Sequence, residues 1–256
     1  MRKKIVAGNW KMHGLRYASQ LLLQTIKEGA TNFSEIEIVI FPSAIYLQLT
    51  EDLLANTLIE WGAQNIYMGD SGAFTGEIAA PMLVDYGCRY VLIGHSERRH
   101  VFHEDLLLVA AKFKSALEFG LHPVLCVGET HEERLNGKTE EVITQQLESV
   151  LQTVSVQLFH QAVIAYEPVW AIGTGLTATP GQAQAVHAFI RTQLAKYDVA
   201  VADTVRILYG GSIKADNASA LFAMPDIDGG LVGGASLNAQ TFLDICRCAE
   251  SLAEKV

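Results

Sequence analysis

Short β-branched, apolar runs alternate with longer helical patterns from one end of this chain to the other, and the alternation never lapses. The strand-like runs fall at residues 4–9, 36–41, 59–64, 90–94, 122–127, 162–166, 205–210 and 227–232. Most are too continuously apolar for a sheet with one wet face, which fits parallel strands covered by helices. Between them lie patterns such as Leu106, Leu107, Val109, Ala110, Phe113 and Leu117, whose apolar face returns at helical spacing. Thr179-Pro180-Gly181-Gln182 marks a helix start, with an N-cap, a proline at the first helical position and a capping-box glutamine. Eight strand–helix units in 256 residues is the proportion of a (β/α)8 barrel, an α/β fold, and predicts one barrel domain over 1–256. An open doubly wound sheet shares the alternation and is the competing architecture.

No Pro/Ser-rich linker, low-complexity tract or long charge run divides the chain. Its net charge of −9 argues against a nucleic-acid surface, which needs clustered Lys and Arg. A small anionic substrate remains open, since one lysine and oriented backbone N–H groups suffice to hold it. The N-terminus begins like a signal peptide, but its apolar part runs straight into Asn9-Trp10-Lys11 and reads as a first strand. No apolar stretch approaches the ~18 residues of a membrane span. Cys88, Cys126, Cys246 and Cys248 lack zinc spacing and read as reduced, buried thiols of a cytoplasmic protein.

In a barrel, chemistry belongs at the C-terminal strand ends. There stand Asn9 and Lys11 after the first strand, Gln64 and Asn65 after the third, and His95 after the fourth. Glu167 follows the sixth, Gly210-Gly211-Ser212 the seventh, and Gly233-Gly234 the eighth. Glu167 closes the apolar run 162–166, and Pro168, lacking an N–H, ends the strand. The apolar segment that follows, with Gly173 and Gly175 and a stop at Thr177-Ala178-Thr179-Pro180, suits a closing loop after strand six. An imidazole at His95, where a strand turns into a helix, meets a positive dipole end that disfavours its cation. Lys11 can bind a phosphate and stabilise an oxyanion, form a Schiff base, or be a plain surface lysine. The glycine pairs after strands seven and eight read as a phosphate cradle.

Other motifs lose to their context. Gly173-Thr174-Gly175-Leu176-Thr177-Ala178, with Asp198 beyond it, satisfies a dinucleotide fingerprint but does not directly follow its strand. Gly137-Lys138-Thr139 lacks the first P-loop glycine, because position 132 is Glu. His100 and His103, with Glu104, lack a further metal ligand and read as a solvated helix face. The other histidines, His13 and His187 among them, show no comparable setting. The long connection from Gln64 to Ala79 carries Phe74 at its tip, a residue suited to docking into a partner subunit.

Taken in order, Asn9-Trp10-Lys11, Gly94-His95-Ser96-Glu97-Arg98-Arg99, the stretch from Glu167 to Gly175 and Tyr209-Gly210-Gly211-Ser212 resemble the triosephosphate isomerase family over nearly the whole chain. The resemblance implies interconversion of dihydroxyacetone phosphate and glyceraldehyde 3-phosphate, in glycolysis and gluconeogenesis, with neither metal nor organic cofactor. It implies Glu167 as base, His95 as neutral electrophile, Lys11 and Asn9 as the groups that bind substrate and stabilise the enediolate, and Glu97 as an acid near Lys11. The mechanism that joins glutamate base, neutral histidine and closing loop is a known property of the family; the residues alone support a rim carboxylate, a helix-start histidine and a phosphate cradle, but not the substrate. Gly173, Ser212, Gly233 and Gly234 resemble its phosphate grip. It further implies a homodimer through the loop from Ser71 to Glu77, with Thr75 reaching the partner's rim near Asn9 and Lys11. Departures are minor: Leu176 stands at the far hinge of the lid where Lys is frequent, and His103 and Gly181 are unusual away from the chemistry.

Overall fold

The strand parity decides where the chemistry sits. In this computed structural model, which describes residues 2–172 and 176–253, eight strands run parallel and close into a barrel in chain order. They are β1 (Lys4–Asn9), β2 (Ile36–Phe41), β3 (Ile59–Ala63), β4 (Tyr90–Ile93), β5 (His122–Val127), β6 (Val163–Tyr166), β7 (Arg206–Tyr209) and β8 (Gly229–Val232). Closure comes from β8 pairing with β1, where Ile5 faces Gly229 and Gly8 faces Val232. The open doubly wound alternative is thereby excluded.

Both faces of the strands are buried, as the continuous apolar runs require. Ile5 and Ala7, Val39 and Phe41, Tyr90 and Leu92, Val124 and Cys126, Val163 and Ala165, Leu208 and Leu231 fill the barrel interior. Their neighbours in sequence pack outward against the helices. Because side chains alternate along a strand, the next inward positions at the C-terminal ends are Asn9, Glu167, Gly210 and Gly233. At the opposite end the inward positions are Glu37, Tyr90 and Arg206. The Arg206 guanidinium donates to Glu37 Oε2 at 2.6 Å and the Tyr90 hydroxyl donates to Glu37 Oε1, closing the barrel floor.

Several strands stop earlier or start later than the apolar runs. Gly94, with φ +68°, turns the chain out of β4. Val205 terminates the helix Val199–Thr204 before β7 begins. Gly229 opens β8 at φ +128°, where a Cβ would lie 1.9 Å from the Ile5 carbonyl oxygen. The helix Leu106–Glu118 follows its apolar pattern, and Thr179 caps the helix Pro180–Ala195 in a capping box with Gln182. All four cysteines are free thiols; Cys248 is only half-buried. His100 ends its helix and His103 lies beyond it at φ +56°, so the two do not share a helix face.

Candidate active site

One cavity of about 500 Å³ at the C-terminal mouth is lined by Asn9, Lys11, His95, Glu97, Glu167, Ser212, Gly233 and Gly234 together. Gly173 lies outside the described residues.

Glu167 is 2% exposed, and glycines make room for it. A Cβ on Gly128 would fall 1.7 Å from the Glu167 carbonyl oxygen, and one on Gly210 would fall 2.9 Å from Glu167 Cγ. The backbone of Glu167 is tied down by its N–H donating to the Val127 carbonyl at 2.7 Å. Its carboxylate accepts from the Ser96 N–H at 2.8 Å through Oε2, while Oε1 lies 3.0 Å from His95 Nε2. Burial alone would raise the pKa of this carboxyl, but the His95 contact and the Ser96 N–H outweigh it and hold the group below its ordinary value. The carboxylate is therefore ionised at neutral pH. Both carboxylate oxygens are engaged, one by Ser96 and one by His95.

His95 is the N-cap of the helix Ser96–His100, and the Glu97 N–H donates to its Nδ1 at 3.2 Å. An accepting Nδ1 leaves the ring proton on Nε2, the atom that faces the cavity and Glu167. Burial lowers the His95 pKa, in the direction expected at a helix start. The Glu167 carboxylate more than reverses this, so in the present arrangement the pKa stands above its ordinary value. The upward pull belongs to the pair.

Lys11 adopts φ +51°, a left-handed conformation costly for a residue with a Cβ. Its N–H donates to Asn9 Oδ1 at 3.0 Å, and its carbonyl accepts from Gln64 Nε2 at 2.9 Å and from the Ser43 hydroxyl at 3.0 Å. These three bonds hold the strained backbone while the ammonium meets Glu97 Oε1 at 2.5 Å. Ser43 gave no signal in the sequence, because a serine that braces a carbonyl looks like any loop serine. His13 also lines the cavity, which its neighbourhood in sequence did not reveal. After β8, Gly233 caps the short turn Gly234–Leu237, and Gly233, Gly234 and Ala235 line the cavity.

The sequence model of the family Triosephosphate isomerase matches residues 4–249. The chain is 53% identical over 249 residues to the triosephosphate isomerase of Dechloromonas aromatica (strain RCB), covering 97% of this chain and 100% of that one. It is 55% identical over 251 residues to that of Xanthomonas campestris pv. campestris (strain 8004), covering 97% and 99%. The chain belongs to the triosephosphate isomerase family.

Within a triosephosphate isomerase barrel, the segment after β6 has two anchors here. At its start Pro168 leads into the turn Val169–Ala171, where Trp170 Nε1 donates to Glu129 Oε1 at 3.0 Å. The Arg134 guanidinium lies 4.8 Å over the Trp170 ring and also donates to Glu129. At its far end the Ala178 N–H donates to the Tyr209 hydroxyl at 3.3 Å. Glu129 and Arg134 were missed in the sequence. The one clue was that Gly128 and Glu129 directly follow β5, on the same rim as the other functional residues. Among the described residues no group of three or more His, Cys, Asp or Glu side chains could hold a metal ion.

Proposed function

We propose that Glu167 carries the proton in the reaction of this family, with His95 and Lys11 stabilising the charge that develops on the substrate oxygens. Family membership gives the reaction itself: the chain is an isomerase that interconverts dihydroxyacetone phosphate and glyceraldehyde 3-phosphate. The observation that supports these roles best is an ionised, buried carboxylate in contact with an imidazole whose Nε2 holds the proton, in one cavity with a lysine.

Starting from glyceraldehyde 3-phosphate, Glu167 removes the proton from C2, and the electron pair moves onto the C1 carbonyl oxygen to give an enediolate. His95 donates its Nε2 hydrogen bond to the oxygens, and the Lys11 ammonium offsets their negative charge. Asn9, one face of the same wall, hydrogen-bonds substrate as well as bracing Lys11. The proton held by Glu167 returns to C1, and the hydroxyl proton passes between the two oxygens by way of His95. Glu97 keeps Lys11 in place. Gly173, Ser212, Gly233 and Gly234 grip the phosphate through backbone N–H groups.

A Schiff-base role for Lys11 is the rival chemistry. An ammonium in an ion pair with Glu97 is a poor amine nucleophile, which favours the electrostatic role. A coupled assay on glyceraldehyde 3-phosphate with a chelator present, run beside borohydride trapping, separates them. Isomerisation without a trapped adduct is expected; a covalent adduct at Lys11 overturns the proposal.

The same reading makes the chain a cytoplasmic homodimer joined through the loop from Ser71 to Glu77. Phe74, 46% exposed, packs its ring 4.4 Å from that of Tyr67, leaving an apolar edge in water. Met12, 94% exposed, lies beside a second cavity of about 370 Å³ lined by Lys11, Gln64, Glu77 and Phe102. A loop tip from a second copy suits that cavity. Light scattering that finds an active monomer at micromolar concentration overturns it. Among the described residues no helix is long and apolar enough to cross a membrane.

A further inference from the structure

His95 and Glu167 reach the cavity from different walls, one just past β4 and the other just past β6, with β5 between them. Their 3.0 Å contact therefore depends on how firmly three strand ends are tied together. The tie from β5 to β6 is the Glu167 N–H donating to the Val127 carbonyl. The ladder from β4 to β5 stops at Ile93 and Leu125, short of the rim. Beyond that point Gly94 turns away at φ +68°, so the sheet itself no longer fixes where His95 stands.

Arg99 spans this gap. Its Nε donates to the Gly94 carbonyl at 2.8 Å, and its second guanidinium nitrogen donates to the Cys126 carbonyl at 3.0 Å. One planar group thus holds the residue before His95 and the residue before Val127 at a set distance, which only a forked donor can do. Gly94 is shaped to admit it: a Cβ there would come within 2.7 Å of the guanidinium. Arg99 is half-buried, and among the described residues no carboxylate lies within ion-pair distance of it. With Glu167 it lines a narrow crevice that Ser212, Gly233 and Gly234 do not reach, and it does not line the main cavity to which those three belong. A half-buried arginine whose direct hydrogen bonds go to two carbonyls, with Glu167 and Glu104 acting on its charge only from beyond ion-pair distance, is costly to keep unless the bridge itself matters.

We propose that Arg99 is a positioning residue, stapling the end of β4 to the end of β5 and so setting the separation of His95 and Glu167. It touches neither substrate nor the reacting atoms. The inference rests on the roles proposed for His95 and Glu167, and Glu167→Asp assayed alongside tests those roles separately.

The test is Arg99→Met and Arg99→Lys, with kcat, KM, melting temperature and the deuterium isotope effect on kcat measured on substrate labelled at the transferred hydrogen. A displacement of ~1 Å in reacting groups costs about a hundredfold, so kcat should fall roughly ten- to a hundredfold in Arg99→Met. KM should stay within about twofold, because the phosphate grip is untouched. The isotope effect should rise as proton transfer becomes slow. Arg99→Lys, able to make one of the two bonds, should fall between parent and Arg99→Met. If Arg99→Met does not fold, a drop in kcat at constant KM in Arg99→Lys carries the test. Unchanged kcat and isotope effect in the folded variants, or KM rising in step with the loss of kcat, overturns the proposal.

Discussion

The two ends of the barrel both confine charged side chains, but they do so by opposite means. At the floor, Glu37, Tyr90 and Arg206 project inward from regular strand, and their partners are fixed by the register of β2, β4 and β7. At the mouth, Lys11, His95 and Glu167 stand just past strand ends; the backbone has left the ladder at Lys11 and His95, while Glu167 keeps one interstrand bond to Val127. There, left-handed backbone at Lys11 and Gly94 aims the chain, and braces from Gln64, Ser43 and Arg99 hold it. At the floor the ladder fixes the charged groups; at the mouth side-chain braces take over where the ladder ends. The ends should then separate cleanly under mutation, the mouth losing rate and the floor losing stability.

The largest effect is expected from Glu167→Asp. Withdrawing the carboxylate by one methylene disturbs the reacting geometry, and kcat should fall about a hundredfold or more. The melting temperature should hardly move, since the backbone tie to Val127 remains. An unchanged kcat, with chemistry shown to be rate-limiting, would remove Glu167 from the role of base. A large fall in melting temperature would mean that the mouth is as structural as the floor.

Arg206→Met is the converse experiment. It strips Glu37 of its cation and leaves a partly buried carboxylate with Tyr90 alone. Fully buried pairs broken in this way cost ~3–5 kcal/mol; with both side chains about one-fifth exposed, roughly 2 kcal/mol is expected. Urea unfolding measures it, and kcat at 25 °C should stay within about twofold. A loss of kcat without a loss of stability would show that the floor communicates with the mouth.

The two ends also differed in how readable they were. The mouth was legible because its residue types are out of place: a carboxylate before a proline at Glu167, a histidine at a helix start, glycine pairs after the last two strands. The floor was invisible, because the meeting of Glu37 with Arg206 depends on the pairing of strands far apart in sequence. Strand existence followed from apolar runs, while strand ends were overrun for several local reasons, among them the left-handed Gly94 that stops β4 and Val205, which still ends a helix before β7. The pull of Glu167 on the His95 pKa was likewise hidden, since the dipole argument treats the histidine alone. Braces such as Arg99 to the Gly94 carbonyl use backbone acceptors that every residue possesses, so no sequence pattern marks them.

The wall between the two ends supplies a pH test. His187 is fully buried, edge-on to Tyr166 at 5.9 Å, with Nδ1 3.1 Å from the Asp226 carbonyl oxygen. Burial outweighs that hydrogen bond and pushes its pKa down to about 4. An unfolded histidine titrates near ~6.5, so between these values the unfolded chain binds more protons, and stability falls as pH falls. From pH 7 to 5.5 the loss from this one group should be about 1 kcal/mol. His95, with its raised pKa, has the opposite sign: its contribution is present below ~6.5 and is lost as pH rises. His187→Phe should flatten the acid slope of stability over that window. An unchanged slope would assign the acid response to other groups.

The smallest effect tests how far the braced mouth depends on its cover. Trp170→Phe keeps the ring beneath the Arg134 guanidinium and removes the N–H that donates to Glu129. Glu129 retains Arg134 and the Tyr166 hydroxyl, so the fold should tolerate the change. What loosens is the start of the segment after β6, whose far end stays tied through Ala178 and Tyr209. An enediolate phosphate exposed to water or released early expels its phosphate, so a cover that closes less firmly should cost protection as well as rate. We expect kcat to fall about threefold, within the ~0.5–1.5 kcal/mol net worth of a single hydrogen bond. The fraction of turnover ending in methylglyoxal and inorganic phosphate should rise, measured as phosphate released per isomer formed. If kcat falls while that ratio stays at the parent value, the segment positions substrate without shielding the intermediate. The mouth would then resemble the floor in serving geometry alone.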